Sequence, residues 1–365
     1  MQLRSRTLGW SAGLTLLLLA TIVVSVGIGP VRISPVEILK VLANAIAVPV
    51  PTTDQAGNQA AGLPMLPVGI EFLSLFSFDV RSTYATIVLQ IRLPRILLAA
   101  LVGISLAIAG TVMQGFFRNP MADPSIIGVS SGAAVGAVAA ITLPFALPLG
   151  LELQGAAFVG GVVTAFVVYF IATEGGRTPV ATLLLAGIAV QTFLGAVISF
   201  MLLRSGNSLE EAVYWLMGHL HYASWSRVTA LGIVLPPLVL VLLAYGRDLN
   251  VLLLGEEEAH NLGIDVRRTK QLLLGLSSVV TAMAVAVSGV IGFVGLIVPH
   301  MLRLVVGPDH RILLPTSALA GGVFLVAADT LARSGPGEIP VGIVTAAVGA
   351  PFFLYLLRRR RVYAL

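Results

Sequence analysis

Two clusters of side chains in this 365-residue chain could do chemistry. The first is Tyr214-Trp215-Leu-Met-Gly-His219-Leu-His221-Tyr222, whose His and Tyr residues are ligand types for haem iron. His219 and His221 stand two apart, so a helix would not aim them the same way, and ordinary loop histidines are the simpler reading. The second cluster is Asp329 with Arg333, one helical turn further on. A proton relay needs more partners than this stretch offers, so a structural ion pair near the outer membrane surface is the expectation. Zero cysteines exclude disulfides, thiolate metal sites and a Cys nucleophile. The two lysines, Lys40 and Lys270, lie outside any Gly-x-x-x-x-Gly-Lys-Ser/Thr phosphate loop. Any nucleotide that powers this protein is therefore expected to be hydrolysed on another chain. An intramembrane enzyme would need paired mid-span aspartates or a His-Glu-x-x-His zinc motif, and the sequence has neither.

The elements that position these residues are set by composition. Hydrophobic residues make up 57% of the chain and charged ones 11%, against about 25% charged in ordinary soluble domains. So few charges cannot cover a soluble globule of 38.1 kDa. The net charge of +5 is scattered between apolar runs and forms no stripe for nucleic acid. A helix needs about 20 apolar residues to cross the hydrocarbon. Ten segments qualify: 8–29, 94–117, 126–145, 151–173, 180–203, 226–245, 271–290, the shorter 292–306, 312–331 and 340–357. The expected fold is an all-α membrane protein of ten transmembrane helices. Residues 8–29 exceed a signal peptide's apolar core and read as a retained span. With the N-terminus inside, fourteen of the 22 basic residues fall on the inner side, including Arg358 to Arg361, which places both termini in the cytoplasm.

Small residues recur at four-residue spacing in Gly128, Gly132 and Gly136 and in Gly342, Ala346 and Ala350, predicting close helix packing. Gly289, Gly292 and Gly295 predict a tight outer turn. Residues between Gly29 and Leu97 read as one long outer loop, and its Pro/Gly/Gln/Asn-rich part, 47–67, as an irregular insertion. Ionisable residues are almost absent from the spans, which argues against an ion-coupled secondary transporter.

The inner segment 246–268 has a distinct character. Its core, Asn250 to Gly263, predicts two short helical pieces broken at Gly255. Leu252, Leu253 and Leu254 offer apolar grip, and Glu256, Glu257 and Glu258 favour the N-terminus of the second piece. Interfacial amphipathic helices are rich in Lys and Arg, so acidic and apolar residues here suit docking to another protein.

Several runs resemble the iron-siderophore, haem and vitamin B12 permeases of bacterial ABC importers. They include Gln90-Ile-Arg92-Leu-Pro-Arg95, Asn119-Pro-Met-Ala-Asp-Pro124, Tyr214-Trp-Leu-Met-Gly218, Gly292-Phe-Val-Gly-Leu-Ile-Val-Pro-His300 and Ala328-Asp-Thr-Leu-Ala-Arg333. The likeness runs from about Arg92 to the C-terminus. It implies a single transmembrane permease domain over 1–365, of type II ABC importer architecture, in the bacterial inner membrane. It implies a homodimer, two cytoplasmic ATPase subunits that use ATP and Mg, and a periplasmic binding protein; no cofactor or metal is expected on this chain. By the same likeness, ATPase coupling falls on Leu252 to Ala259 with Leu262 and Gly263, and binding-protein docking on Arg92, Arg95 and Arg333. The cytoplasmic gate falls on Asn119, Met121, Pro179 and Val180. Tyr214, His219, His221 and Tyr222 are the candidate substrate contacts. On that outer loop haem is the expected cargo, ahead of a ferric siderophore and vitamin B12.

Overall fold

The structure, a computed structural model, describes residues 2–52, 69–143, 152–174, 178–335 and 337–358. Apart from one two-stranded hairpin it is helical. Among the described residues, seven helical segments are long and apolar enough to cross a membrane, and three more, 129–142, 294–306 and 341–355, are apolar but shorter. Each of the ten segments expected from hydropathy coincides with one of these ten. The chain is a multi-pass membrane protein.

The first long helix, α1 (Gln2–Gly27), is followed by α2 (Pro35–Asn44), capped by the Ser34 hydroxyl, which accepts from the Glu37 amide. Strands β1 (Ala47–Thr52) and β2 (Gly69–Ser74) then pair antiparallel, with Val48 opposite Leu73 and Val50 opposite Glu71. This corrects the expected irregular segment: Pro49 and Pro51 lie in a strand. Proline is tolerated there because a two-stranded sheet has only edge strands, which have no second ladder to feed. The rest of the expected insertion, 53–67, lies outside the described residues.

The expected outer loop up to Leu97 is corrected again beyond β2. Helix α3 (Ser82–Thr86), a π-helical turn at Ile87–Arg92 and α4 (Leu93–Phe116) form one continuous rod. Pro94 reads in sequence as a helix start because its ring would clash with the carbonyl four residues back in α geometry. The wider π turn directly before it relieves that conflict, so the helix continues through.

Helix α4 is the axis of the molecule. Almost all of its residues are buried, and the later helices pack around it. After the 3-10 turn Pro124–Ile127 come α5 (Val129–Thr142) and α6 (Glu152–Ala172), then α7 (Val180–Arg204). A short helix, α8 (Leu209–Leu216), precedes α9 (Trp225–Ala244). Two short helices, α10 (Gly246–Leu252) and α11 (Glu256–Asn261), lead into α12 (Val266–Ser288). Helices α13 (Val294–Val306), α14 (His310–Ala332) and α15 (Val341–Arg358) complete the chain.

Small residues set the interhelical distances, as membrane packing favours. A Cβ added at Gly103 would stand 2.2 Å from the Gly321 carbonyl oxygen, and one at Gly110 would stand 1.9 Å from that of Gly295. These contacts bring α4 against α14 and α13. The expected Gly128–Gly132–Gly136 row divides its work. Gly132 and Gly136 meet the backbone of Gly160 and Ala156 on α6, whereas Gly128 is a left-handed N-cap at φ 83°. Gly342 touches the Met217 carbonyl, joining α15 to the outer turn.

Candidate functional site

At one end of the bundle, the end expected to face outward, residues from four parts of the chain converge. Asp329, near the end of α14, is fully buried between two arginines. Arg95, in the first turn of α4, donates through Nε to Asp329 Oδ1 at 3.0 Å and through Nη1 to Glu338 Oε2 at 2.7 Å. Arg333 stands one turn beyond Asp329, with Nε 3.2 Å from Oδ2. It donates further to the Ser25 and Ile28 carbonyls and the Ser25 hydroxyl of α1. Arg92 also turns inward, donating to the Val26 carbonyl at 2.8 Å and to that of Val31. Taking charges out of water is costly unless every one is paired and hydrogen-bonded; here each buried guanidinium has carboxylate or carbonyl partners.

The three arginines expected to dock a partner are thus brought together, but as buried residues with internal partners. They still reach a surface feature: a cavity of about 190 Å³ lined by Arg92, Arg95, Arg333 and Glu338 with Pro30, Val31, Ile87 and Ile91. Glu338 is the residue whose role pattern reading missed. Burial pushes its pKa up, but the Arg95 hydrogen bond and charge, with the His221 contact, outweigh that and hold it below the usual value. Its Oε2 lies 3.2 Å from His221 Nδ1. The ion-pair cluster and the aromatic outer loop are therefore one network.

Within that loop the two histidines do part company, as their spacing predicts. His221 is exposed, but His219 is buried, 5.0 Å from the Tyr214 ring and 5.3 Å from that of Tyr222 between centroids. The His219 amide donates to the Ser288 carbonyl at 2.7 Å. Burial, with the nearby charge of Arg227, pushes the His219 imidazole down to about 4. Tyr214, His219, His221 and Tyr222 form one ring-to-ring row, of which only His221 and Tyr222 are openly exposed.

At the opposite end, α10 and α11 are the two short helical pieces, and the break falls at Gly255, where φ is 140°. Only glycine adopts such a backbone without strain. Leu252 and Ala259 anchor the pieces in the interior, while Leu254 and Leu262 are each 64% exposed and Glu256, Glu257 and Glu258 face solvent. Leu253 is half-buried. The segment is held from below by Asn250, whose Nδ2 donates to Asp309 Oδ1 at 2.7 Å and whose Oδ1 accepts from the His310 amide at 2.8 Å. Hydrogen bonds and charge from Arg311 hold Asp309 down at about 2.

The residues expected at a gate lie at this same end but in two places. Asn119 Oδ1 accepts from the Met121 amide at 2.9 Å, a local turn after α4, and Asp123 caps the next turn by accepting from Ser125. Burial pushes the Asp123 carboxyl up despite those bonds. Pro179 and Val180 begin α7. Pro179 lines a cleft of about 800 Å³ whose other walls include Glu256, Glu257 and His260 of α11 and Lys270 of α12.

The helices form a polytopic bundle with buried ion pairs at one end and a broken helical elbow at the other. The FecCD transport family matches residues 16–359, and the chain belongs to it. It is 57% identical to the cobalamin import system permease protein BtuC of Halobacterium salinarum, over 99% of both chains. It is 45% identical to the hemin transport system permease protein HmuU of Yersinia pestis, over 80% of this chain and 90% of that one. A solved structure described as an inward-facing ABC transporter of the metal-chelate type superposes with a TM-score of 0.75 and 32% identity, covering 96% of this chain and 98% of that one. The protein is an ABC importer permease of the class that handles vitamin B12, haem or ferric chelates, and its relatives are transport permease subunits.

Proposed function

We propose that this chain is the homodimeric permease of a binding-protein-dependent importer that carries a corrinoid across the cytoplasmic membrane of a prokaryote. The observation that carries the cargo is the 57% identity, end to end, with a permease named for cobalamin. Haem, expected from the outer loop, is the second reading; the 45% identity to a hemin permease favours it. Against haem, His219 is buried between two tyrosines and offers no open ligand position.

In this reading all ten apolar helices cross the bilayer and both termini lie inside. Two ATPase subunits grip α10 and α11 through Leu254, Leu262 and Glu256 to Glu258, which are exposed, Glu256 also pairing with Lys270. A periplasmic binding protein caps the outer end and presents carboxylates to the cavity lined by Arg92, Arg95 and Arg333. Asn119, Met121, Pro179 and Val180 close the inner mouth. ATP binding and release by the partners shift the permease between two states, and the elbow transmits that shift.

Purified complex in nanodiscs, with binding protein, decides the cargo. Cobalamin-loaded binding protein should stimulate ATP hydrolysis, and haem or ferric siderophore should not. Stimulation by haem alone would replace the corrinoid reading. ATP-independent uptake abolished by an ionophore would remove the importer reading altogether.

A further inference from the structure

Between the elbow and the α7 entry, Tyr169 makes contacts in both directions, through its hydroxyl towards α12 and through its backbone carbonyl towards Thr173. Glu256 of α11 accepts from Lys270 Nζ on α12, and that ammonium stands 5.3 Å from the Phe116 ring at the end of α4. The next residue, Gln271, donates through Nε2 to the Tyr169 hydroxyl of α6 at 2.9 Å. The Tyr169 carbonyl accepts from the Thr173 hydroxyl at 2.8 Å, and the Thr178 and Thr173 hydroxyls lie 2.7 Å apart. Thr173 spends its proton on the Tyr169 carbonyl, so Thr178 donates to Thr173. Thr178 is two residues from Val180, where α7 begins. Tyr169, Gln271, Thr178, Pro179 and Glu256 all line the same 800 Å³ cleft.

We infer that Tyr169 is a positioning residue that couples the α11 elbow to the segment entering α7. The inference rests on the importer reading, in which α11 receives the ATPase and the α7 entry is part of the gate. A movement of α11 drags the start of α12 through Glu256–Lys270. Gln271 then carries it to Tyr169, and the threonine pair carries it to Thr178. Without the hydroxyl, the inner end of α6 follows α12 only through the packing of Ala165 and Val168 against Leu274 and Ala282 further along the helices.

Tyr169→Phe removes one oxygen and keeps the ring. In reconstituted complex it should leave ATPase association and hydrolysis intact while cargo moved per ATP falls roughly two- to tenfold, the factor one hydrogen bond supports. Gln271→Leu should do the same, and the double variant should be no worse than either single one, because both remove one bond. An unchanged transport-to-hydrolysis ratio in both single variants overturns the inference. A second measurement needs no partner. The chain has no cysteine, so Glu257→Cys and Ala181→Cys can carry spin labels in the permease alone. The distance distribution should broaden on Tyr169→Phe; an unchanged distribution counts against the link. Should the unmodified complex show no ATP-driven uptake, the importer reading fails, and the spin-label distances still decide whether Tyr169 ties the two walls.

Discussion

Arg95 Nε donates to Asp329 Oδ1 at 3.0 Å across 234 residues of sequence. The bond ties the first turn of α4 to the last turn of α14, and Arg333 closes on the same carboxylate from the other side. Asp329→Asn keeps the shape but leaves the buried Arg333 guanidinium without a counter-charge and Arg95 with Glu338 alone. Removing one partner from a buried ionic cluster costs about 3–5 kcal/mol. Thermal unfolding of the detergent-solubilised protein should therefore drop clearly for Asp329→Asn, and an unchanged midpoint would contradict a paired buried cluster.

The glycine contacts along α4 make a graded prediction. Gly110→Ala places a methyl group 1.9 Å from the Gly295 carbonyl oxygen, against backbone that cannot rotate away. Overpacking of this kind costs about 1–3 kcal/mol. Gly195→Ala on α7 meets nothing within 4 Å and serves as the control. Size-exclusion yield and unfolding midpoint should fall for the first variant and hold for the second.

His219 gives the outer loop a pH dependence of known sign. Its imidazole is held down at about 4 by burial and by Arg227, whereas in the unfolded chain it titrates near 6.5. Between those values the unfolded state binds the extra proton, so stability falls as pH drops from about 6.5 towards 4. His219→Phe should flatten that slope in unfolding curves taken at pH 7 and pH 5. An equal slope in both proteins would mean that His219 is not neutral in the fold.

The elbow separates packing from docking within a few residues. Leu252→Ala empties a buried site and should cost about 2–5 kcal/mol of stability. Leu254→Ser with Leu262→Ser alters side chains that are each 64% exposed and should leave unfolding unchanged. In a pulldown with the partner ATPase the exposed pair should lose binding. Retained binding would place the partner elsewhere on the inner face.

Much of this was legible in the sequence because membrane folds write their rules in long stretches. Ten apolar runs give ten apolar helices, and Gly255 between a leucine run and three glutamates gives the elbow its break. The misses share a cause: a local signal overruled by its neighbours. Pro94 looks like a helix start until the π turn before it is seen. Pro49 and Pro51 look like loop residues until Val48 and Val50 pair with Leu73 and Glu71. Helix α8 is too short for periodicity to reveal. Arg92 and Arg95 carry no mark that they face inward, since their partners are carbonyls at and beyond the end of α1 and carboxylates far along the sequence. Glu338 opens a run that resembles the permease family, yet its role is hidden because nothing near it in the sequence shows that it faces both Arg95 and His221.

The π turn at Ile87–Arg92 has a consequence for how this rod can vary. An α-helix advances about 100° per residue, and a wide turn absorbs one extra residue without breaking the rod. Azimuth and residue count are thereby uncoupled at a single place. The stretch containing Gly103 and Gly110 keeps its bearing towards α14 and α13, while the portion preceding it is free to be phased separately, which turns Arg92 towards the α1 carbonyls. Excising one residue between Ile87 and Ile91 would restore uniform winding and rotate everything upstream, so the outer cap would be misaligned although the glycine seam stayed closed.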